Sequence, residues 1–266
     1  MKISLQSFLL AISVSALISC AQKNLSTEKD IIPSPVEIIK SDGLFTFKSG
    51  MSLYINDKNL APAHTLLQNS LEIDLVESHE ELSASIVLRM VEGMKEGGYH
   101  LSVNNDRLLL EASDYSGIVA GISTIRQLLP IEAESGLSIP NVEITDYPHY
   151  QWRGMHLDVS RHFYSKKEVM KLLDLMSLYK FNKFHWHLTD DQGWRIEIEK
   201  YPLLTEKGAW RKFNKHDRGC MERAVEEDNT DFLIPENKIR IVEGDTLYGG
   251  YYTHEDIKAV SYTHLT

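Results

Sequence analysis

Two short apolar segments, each ending in a crowd of polar residues and separated by one amphipathic run, constrain this chain more than any other feature. Residues 154–159 run into Ser160-Arg161-His162, and residues 183–188 run into Thr189-Asp190-Asp191. Between them, Ser165-Lys-Lys-Glu168 has the form of a capping box, and Val169, Leu172, Leu173, Met176 and Tyr179 fall on one face of a helix. Strand, helix, strand with a right-handed crossover yields two parallel neighbours whose ends share one sheet edge. That edge gathers Arg161, His162, His187, Thr189, Asp190 and Asp191, and it is where α/β enzymes place their sites.

Each residue taken singly has a structural alternative. Arg161 can pair with Asp158 or Asp190 as a buried ion pair. His185 and His187 flank Trp186, share one strand face, and suit hydrogen-bonded core histidines as well as ligands. Asp190-Asp191 can be turn formers ahead of Gly193. Their co-location favours a functional site.

Upstream, short alternating segments at 36–39, 44–48, 51–55 and 85–90 read as strands, and 62–71 as a helix. Residues 99–103 and 107–112 form a hairpin around Asn104-Asn105-Asp106. Ile118, Ile122, Ile125 and Leu129 predict a helix over 116–130 laid on this sheet. The expectation is a small α+β domain over 31–147, a linker over 131–148 with one short strand at 142–144, and an α/β domain over 148–266. Residues 201–249 read as a long insertion, charged around 222–231, solvated and partly mobile.

Net charge is -10, from 38 acidic and 28 basic residues, which disfavours nucleic acid and anionic membrane as partners. Residues 1–20 carry Lys2, an apolar run over 8–18, and Leu17-Ile-Ser-Cys20, similar to the lipobox of bacterial lipoproteins. Lipidation at Cys20 would anchor the chain to a membrane through lipid alone, at the bacterial cell envelope, with 21–30 as a tether. Palmitate-analogue labelling is expected to tag the wild type; equal labelling of Cys20→Ala would exclude the anchor. The alternative is a simple secretory signal with an incidental cysteine. After lipidation only Cys220 remains, so no disulfide can staple the fold.

The motifs Trp-Arg-Gly-Met-His-Leu-Asp-Val-Ser-Arg-His-Phe (152–163) and Asn-Lys-Phe-His-Trp-His-Leu-Thr-Asp-Asp-Gln-Gly-Trp-Arg (182–195) together resemble the opening of the catalytic domain of family 20 glycoside hydrolases, the β-N-acetylhexosaminidases. The likeness extends to Gly249-Gly-Tyr-Tyr-Thr253 and to the preceding domain. It implies a TIM-type barrel, glycans with a non-reducing terminal N-acetylhexosamine as substrates, and no cofactor or metal. Arg161 matches the arginine that grips two sugar hydroxyls, Asp190 a carboxylate that orients a histidine, and Asp158, His162, His185 and His187 positions that line or brace the site. The family's catalytic Asp-Glu pair has no counterpart, since the chain contains no Asp-Glu dipeptide. Such a barrel takes roughly 250 residues, so 148–266 reads as its first part, about two βα units, truncated and inactive alone. Two other readings stay open: a metal-dependent barrel hydrolase using His185, His187 and Asp190, and a non-catalytic lipid-anchored sugar-binding protein.

Overall fold

Alternating apolar positions in the first half resolve into one mixed sheet. The computed structural model describes residues 31–131 and 136–261; the expected export signal, Cys20 and the expected tether lie outside the described residues. Among those described, no helix is long and apolar enough to cross a membrane. In chain order the first elements are β1 (Glu37–Thr46), β2 (Met51–Ile55), α1 (Ala61–Leu71), β3 (Leu75–Ser78), β4 (Ile86–Met90), β5 (Tyr99–Val103), β6 (Leu108–Ala112), α2 (Tyr115–Leu128) and β7 (Ser138–Asp146). The strands order as β1-β7-β5-β6-β4-β2-β3. Both helices cover one face, where Leu67, Ile118, Ile122 and Ile125 meet Leu53, Leu88, Leu101 and Leu110 in a closed core. Gly121 lets α2 approach, because a Cβ there would sit 2.3 Å from Leu110 Cδ1.

Two sequence expectations change here. Residues 138–146 are not linker with a short strand but a nine-residue strand paired on both sides, with β1 and with β5. Its buried Ile139, Val142 and Ile144 are interrupted by Pro140, which masked the alternation. Strand β3 was not expected at all; only Leu75 of it is buried, so it carries little pattern.

The second half holds β8 (Gly154–Asp158), α3 (Lys166–Leu178), β9 (Lys183–His187), the pair β10 (Thr189–Asp190) and β11 (Gly193–Trp194), α4 (Leu203–Glu206), β12 (Trp210–Lys212), α5 (Lys215–Glu226), β13 (Ile239–Val242), β14 (Asp245–Gly249) and α6 (His254–Ser261). β8 and β9 are parallel, as the crossover requires. The capping box at α3 forms in full: Ser165 Oγ accepts from the Glu168 amide while Glu168 accepts from the Ser165 amide, worth about 1 kcal/mol. Val169, Leu173 and Met176 of α3 pack with Val159, Tyr248, Tyr252 and Val260 in a second core.

The insertion read over 201–249 is folded. β12, β14 and β13 form an antiparallel three-stranded sheet, and α5 starts on a second capping box between Asn214 and Asp217. Polar composition hid this because its order rests on ion pairs: Arg211 with Asp217, and buried Lys238 with Glu168.

Candidate active site

Pairing register decides which side chains meet. His156 lies opposite His185, and Asp158 opposite His187. Period-two alternation therefore puts His156, Asp158, His185 and His187 on one face. Met155, Leu157, Phe184 and Trp186 go to the other, packed against the second core.

Just past β8 the chain turns on Asp158, whose Oδ1 accepts from the backbone amides of Ser160 (2.9 Å) and Arg161 (3.1 Å). This turn swings the Arg161 side chain back over the strand ends. Its Nη1 donates to Asp158 Oδ2 at 2.8 Å and lies 2.7 Å from Asp190 Oδ2 and 3.1 Å from His187 Nε2. Asp190 closes the group, with Oδ2 3.0 Å from His187 Nε2 and Oδ1 accepting from the Asp191 amide. Burial alone would raise the Asp158 carboxyl, but the Arg161 and Ser160 amides and the Arg161 guanidinium outweigh it and hold it below the ordinary carboxylate range. The Asp191 amide, and then His187, do the same for Asp190. Arg161, Asp158, His187 and Asp190 thus form one charged cluster, with His185 beside it.

His162 does not join them. It points the other way, its ring 5.0 Å from Tyr164 and 5.3 Å from Tyr248. Burial, then the Lys238 charge, pushes its pKa down, so it is neutral at pH 7 and acts as packing under the loop. The reason is local: Asp158 turns the chain at Ser160-Arg161, so successive side chains diverge.

Three further groups hold the cluster in place. Arg195 is fully buried and gives its guanidinium to backbone carbonyls alone: Val159 at 2.9 Å, Ser160 at 2.8 Å, Gly250 at 3.1 Å, and Ala209. Burial lowers its pKa to about 10. Gly193 makes room, since a Cβ there would fall 2.3 Å from Arg195 Cζ. Arg211, paired with Asp217, donates to the Arg161 carbonyl at 3.2 Å. Burial would raise the Asp217 carboxyl, but the Arg211 pairing and the Asn214 amide keep it below its usual range. Tyr248 Oη accepts from the Phe163 amide at 2.7 Å. On the site face itself the missed position is His156; the register of β8 on β9 was needed to find it.

The sequence matches Glycosyl hydrolase family 20, domain 2, over residues 28–147 and Glycosyl hydrolase family 20, catalytic domain, over residues 150–264. Among curated relatives, a β-hexosaminidase of Vibrio furnissii is 36% identical over 86% of this chain and 34% of its own length. A β-hexosaminidase of Porphyromonas gingivalis is 33% identical over 92% of this chain and 30% of its own. A solved structure of the family 20 exo-β-N-acetylglucosaminidase of Vibrio harveyi, in complex with N-acetylglucosamine, superposes with a TM-score of 0.69 at 32% identity, over 87% of this chain and 34% of that one. The chain spans about a third of the length of these relatives.

Proposed function

Because the chain belongs to glycosyl hydrolase family 20, we propose that it forms the sugar-gripping part of an exo-acting β-N-acetylhexosaminidase, with residues 148–266 as the opening of a βα barrel. One observation carries the assignment to Arg161. Its Nη1 is committed to Asp158, Asp190 and His187, while among the described residues no protein group engages Nε or Nη2, and the side chain is 45% exposed. A planar guanidinium fixed at one corner presents its remaining donors in a set direction, which suits two adjacent sugar hydroxyls.

In the reaction proposed for the whole protein, the sugar's 2-acetamido oxygen attacks its own anomeric carbon. One carboxylate steadies the acetamido group and a neighbouring acid protonates the leaving oxygen, the substrate-assisted exception to the two-carboxylate scheme. With no Asp-Glu dipeptide in the chain, the proposal gives residues 1–266 binding without cleavage. It also keeps the sequence expectation that Cys20 holds the site at the cell envelope.

Saturation-transfer NMR on the purified chain is expected to show N-acetylglucosamine binding that is weak, on the order of millimolar. Arg161→Ala should weaken it by about tenfold or more, since hydrogen bonds from a charged donor contribute roughly 1.5–3 kcal/mol. Release of p-nitrophenol from its N-acetylglucosaminide by the chain alone would refute the binding-only reading. An undiminished sugar signal in a folded Arg161→Ala variant would remove the role of Arg161.

A further inference from the structure

Three imidazoles meet on the face of β8 and β9 that points away from the second core. The register sets His156 beside His185, and alternation brings His187 to the same side. One ring nitrogen of each lies within 4.8 Å of the other two. Ring centroids are 4.6 Å apart for His156 and His185, 5.7 Å for His156 and His187, and 6.2 Å for His185 and His187. His156 and His185 are exposed and His187 is half-buried. Among the described residues no hydrogen bond engages the ring nitrogens of His156 or His185.

The electrostatics accept a cation. Arg161 Nη1 stands 3.1 Å from His187 Nε2, but two carboxylates, Asp158 and Asp190, sit 2.8 and 2.7 Å from that same nitrogen of Arg161. Two negative charges therefore face one positive charge at the edge of the cluster. Asp190 Oδ2, 3.0 Å from His187 Nε2, is at hand either to orient that ring or to join an ion, as carboxylates beside ligating histidines commonly do.

We propose that His156, His185 and His187 form a binding site for one borderline divalent cation of the zinc, cobalt or nickel class, with water completing the coordination. Imidazole donors suit these ions, whereas magnesium and calcium take oxygen ligands. Three protein ligands leave an open position. This ligand set differs from the His185, His187 and Asp190 group of the metal-hydrolase reading, because the third imidazole comes from β8. The ion takes no part in the proposed hydrolysis, and the site does not depend on that assignment.

Equilibrium dialysis of the purified chain against micromolar zinc chloride, followed by elemental analysis, is expected to find one zinc per chain and no bound magnesium. Cobalt in place of zinc should give the visible absorption bands of a low-coordinate site. His156→Ala and His185→Ala should each weaken zinc binding by about tenfold or more. His216→Ala removes a different imidazole, 3.7 Å from Cys220 Sγ on α5, and should leave affinity and stoichiometry unchanged. Where an alanine variant fails to fold by circular dichroism, His156→Asn and His185→Asn, which keep a polar side chain of similar length, serve in its place. No zinc above background, or zinc that survives loss of His156 and disappears with His216 or Cys220, overturns the proposal.

Discussion

Arg195→Met is expected to destabilise the chain by about 4 kcal/mol or more and to lower its thermal midpoint by ~10 °C. The argument starts from what the guanidinium touches. Its four partners are carbonyls from three separate places: Val159 and Ser160 at the end of β8, Ala209 just before β12, and Gly250 just after β14. Methionine fills similar volume with an apolar chain, so packing is largely kept while the Val159, Ser160 and Gly250 carbonyls lose their donor and the Ala209 carbonyl keeps only the Gly250 amide. Each buried orphan costs roughly 1–3 kcal/mol, discounted because the loop can relax toward water. Arg195→Lys keeps the charge but not the planar fork and cannot reach carbonyls in three directions, so it should recover only part of the loss. Chemical denaturation of the three proteins checks this. A methionine variant within about 1 kcal/mol of wild type would mean that the carbonyls find water or each other, and that Arg195 is not the tie between β8, β12 and β14.

The same residue shows why some of the site was legible in the sequence and some was not. The unit β8-α3-β9 announced itself because its strands alternate, its helix repeats at 3.6, and Ser165 and Glu168 mark the boundary. Arg161, Asp190 and His187 followed from that unit, since parallel strands end together. Arg195 had no such signal. A guanidinium that binds carbonyls has no acidic partner to find in the sequence, and only Gly193 hints at the crowding around it. His156 was hidden for a different reason, because it becomes a neighbour of His185 only through the register of β8 on β9. His162, expected to line or brace the site, parts from its neighbour Arg161 because the Asp158 turn separates them. The folded 201–249 segment escaped because ion pairs such as Arg211 with Asp217 are invisible to hydrophobic patterning.

Asp146→Ala is expected to cost about 3–5 kcal/mol, the usual result of stripping one partner from a buried ion pair. The pair joins the two cores. Lys180 follows α3 with φ +61°, and the Phe181 amide bonds to the Met176 carbonyl across the helix end, the position where glycine is normal. A lysine there accepts about 1 kcal/mol of backbone strain, and its side chain explains why. Nζ reaches Asp146 Oδ2 at 2.8 Å and Tyr99 Oη at 3.1 Å, with the lysine side chain only 7% exposed and the aspartate 12%. Burial lowers the Lys180 pKa while Asp146 opposes the shift. Around it, α2 takes the last carbonyls of α3: Ser123 Oγ donates to Ser177 O and Gln127 Nε2 to Leu178 O, both at 2.8 Å. The start of β9 is therefore positioned by the first sheet, and through β9 so are His185 and His187. Lys180→Gly should cost less than Asp146→Ala. It relieves the strained backbone, and it leaves a carboxylate whose other oxygen still accepts from the Tyr147 amide at 2.9 Å. In urea titrations the double variant should be more stable than the sum of the two single losses implies, because an ion pair is removed whole. Additive losses, or an Asp146→Ala variant within about 0.5 kcal/mol of wild type, would show that water satisfies Lys180 and that the ion pair is not what ties the two cores together.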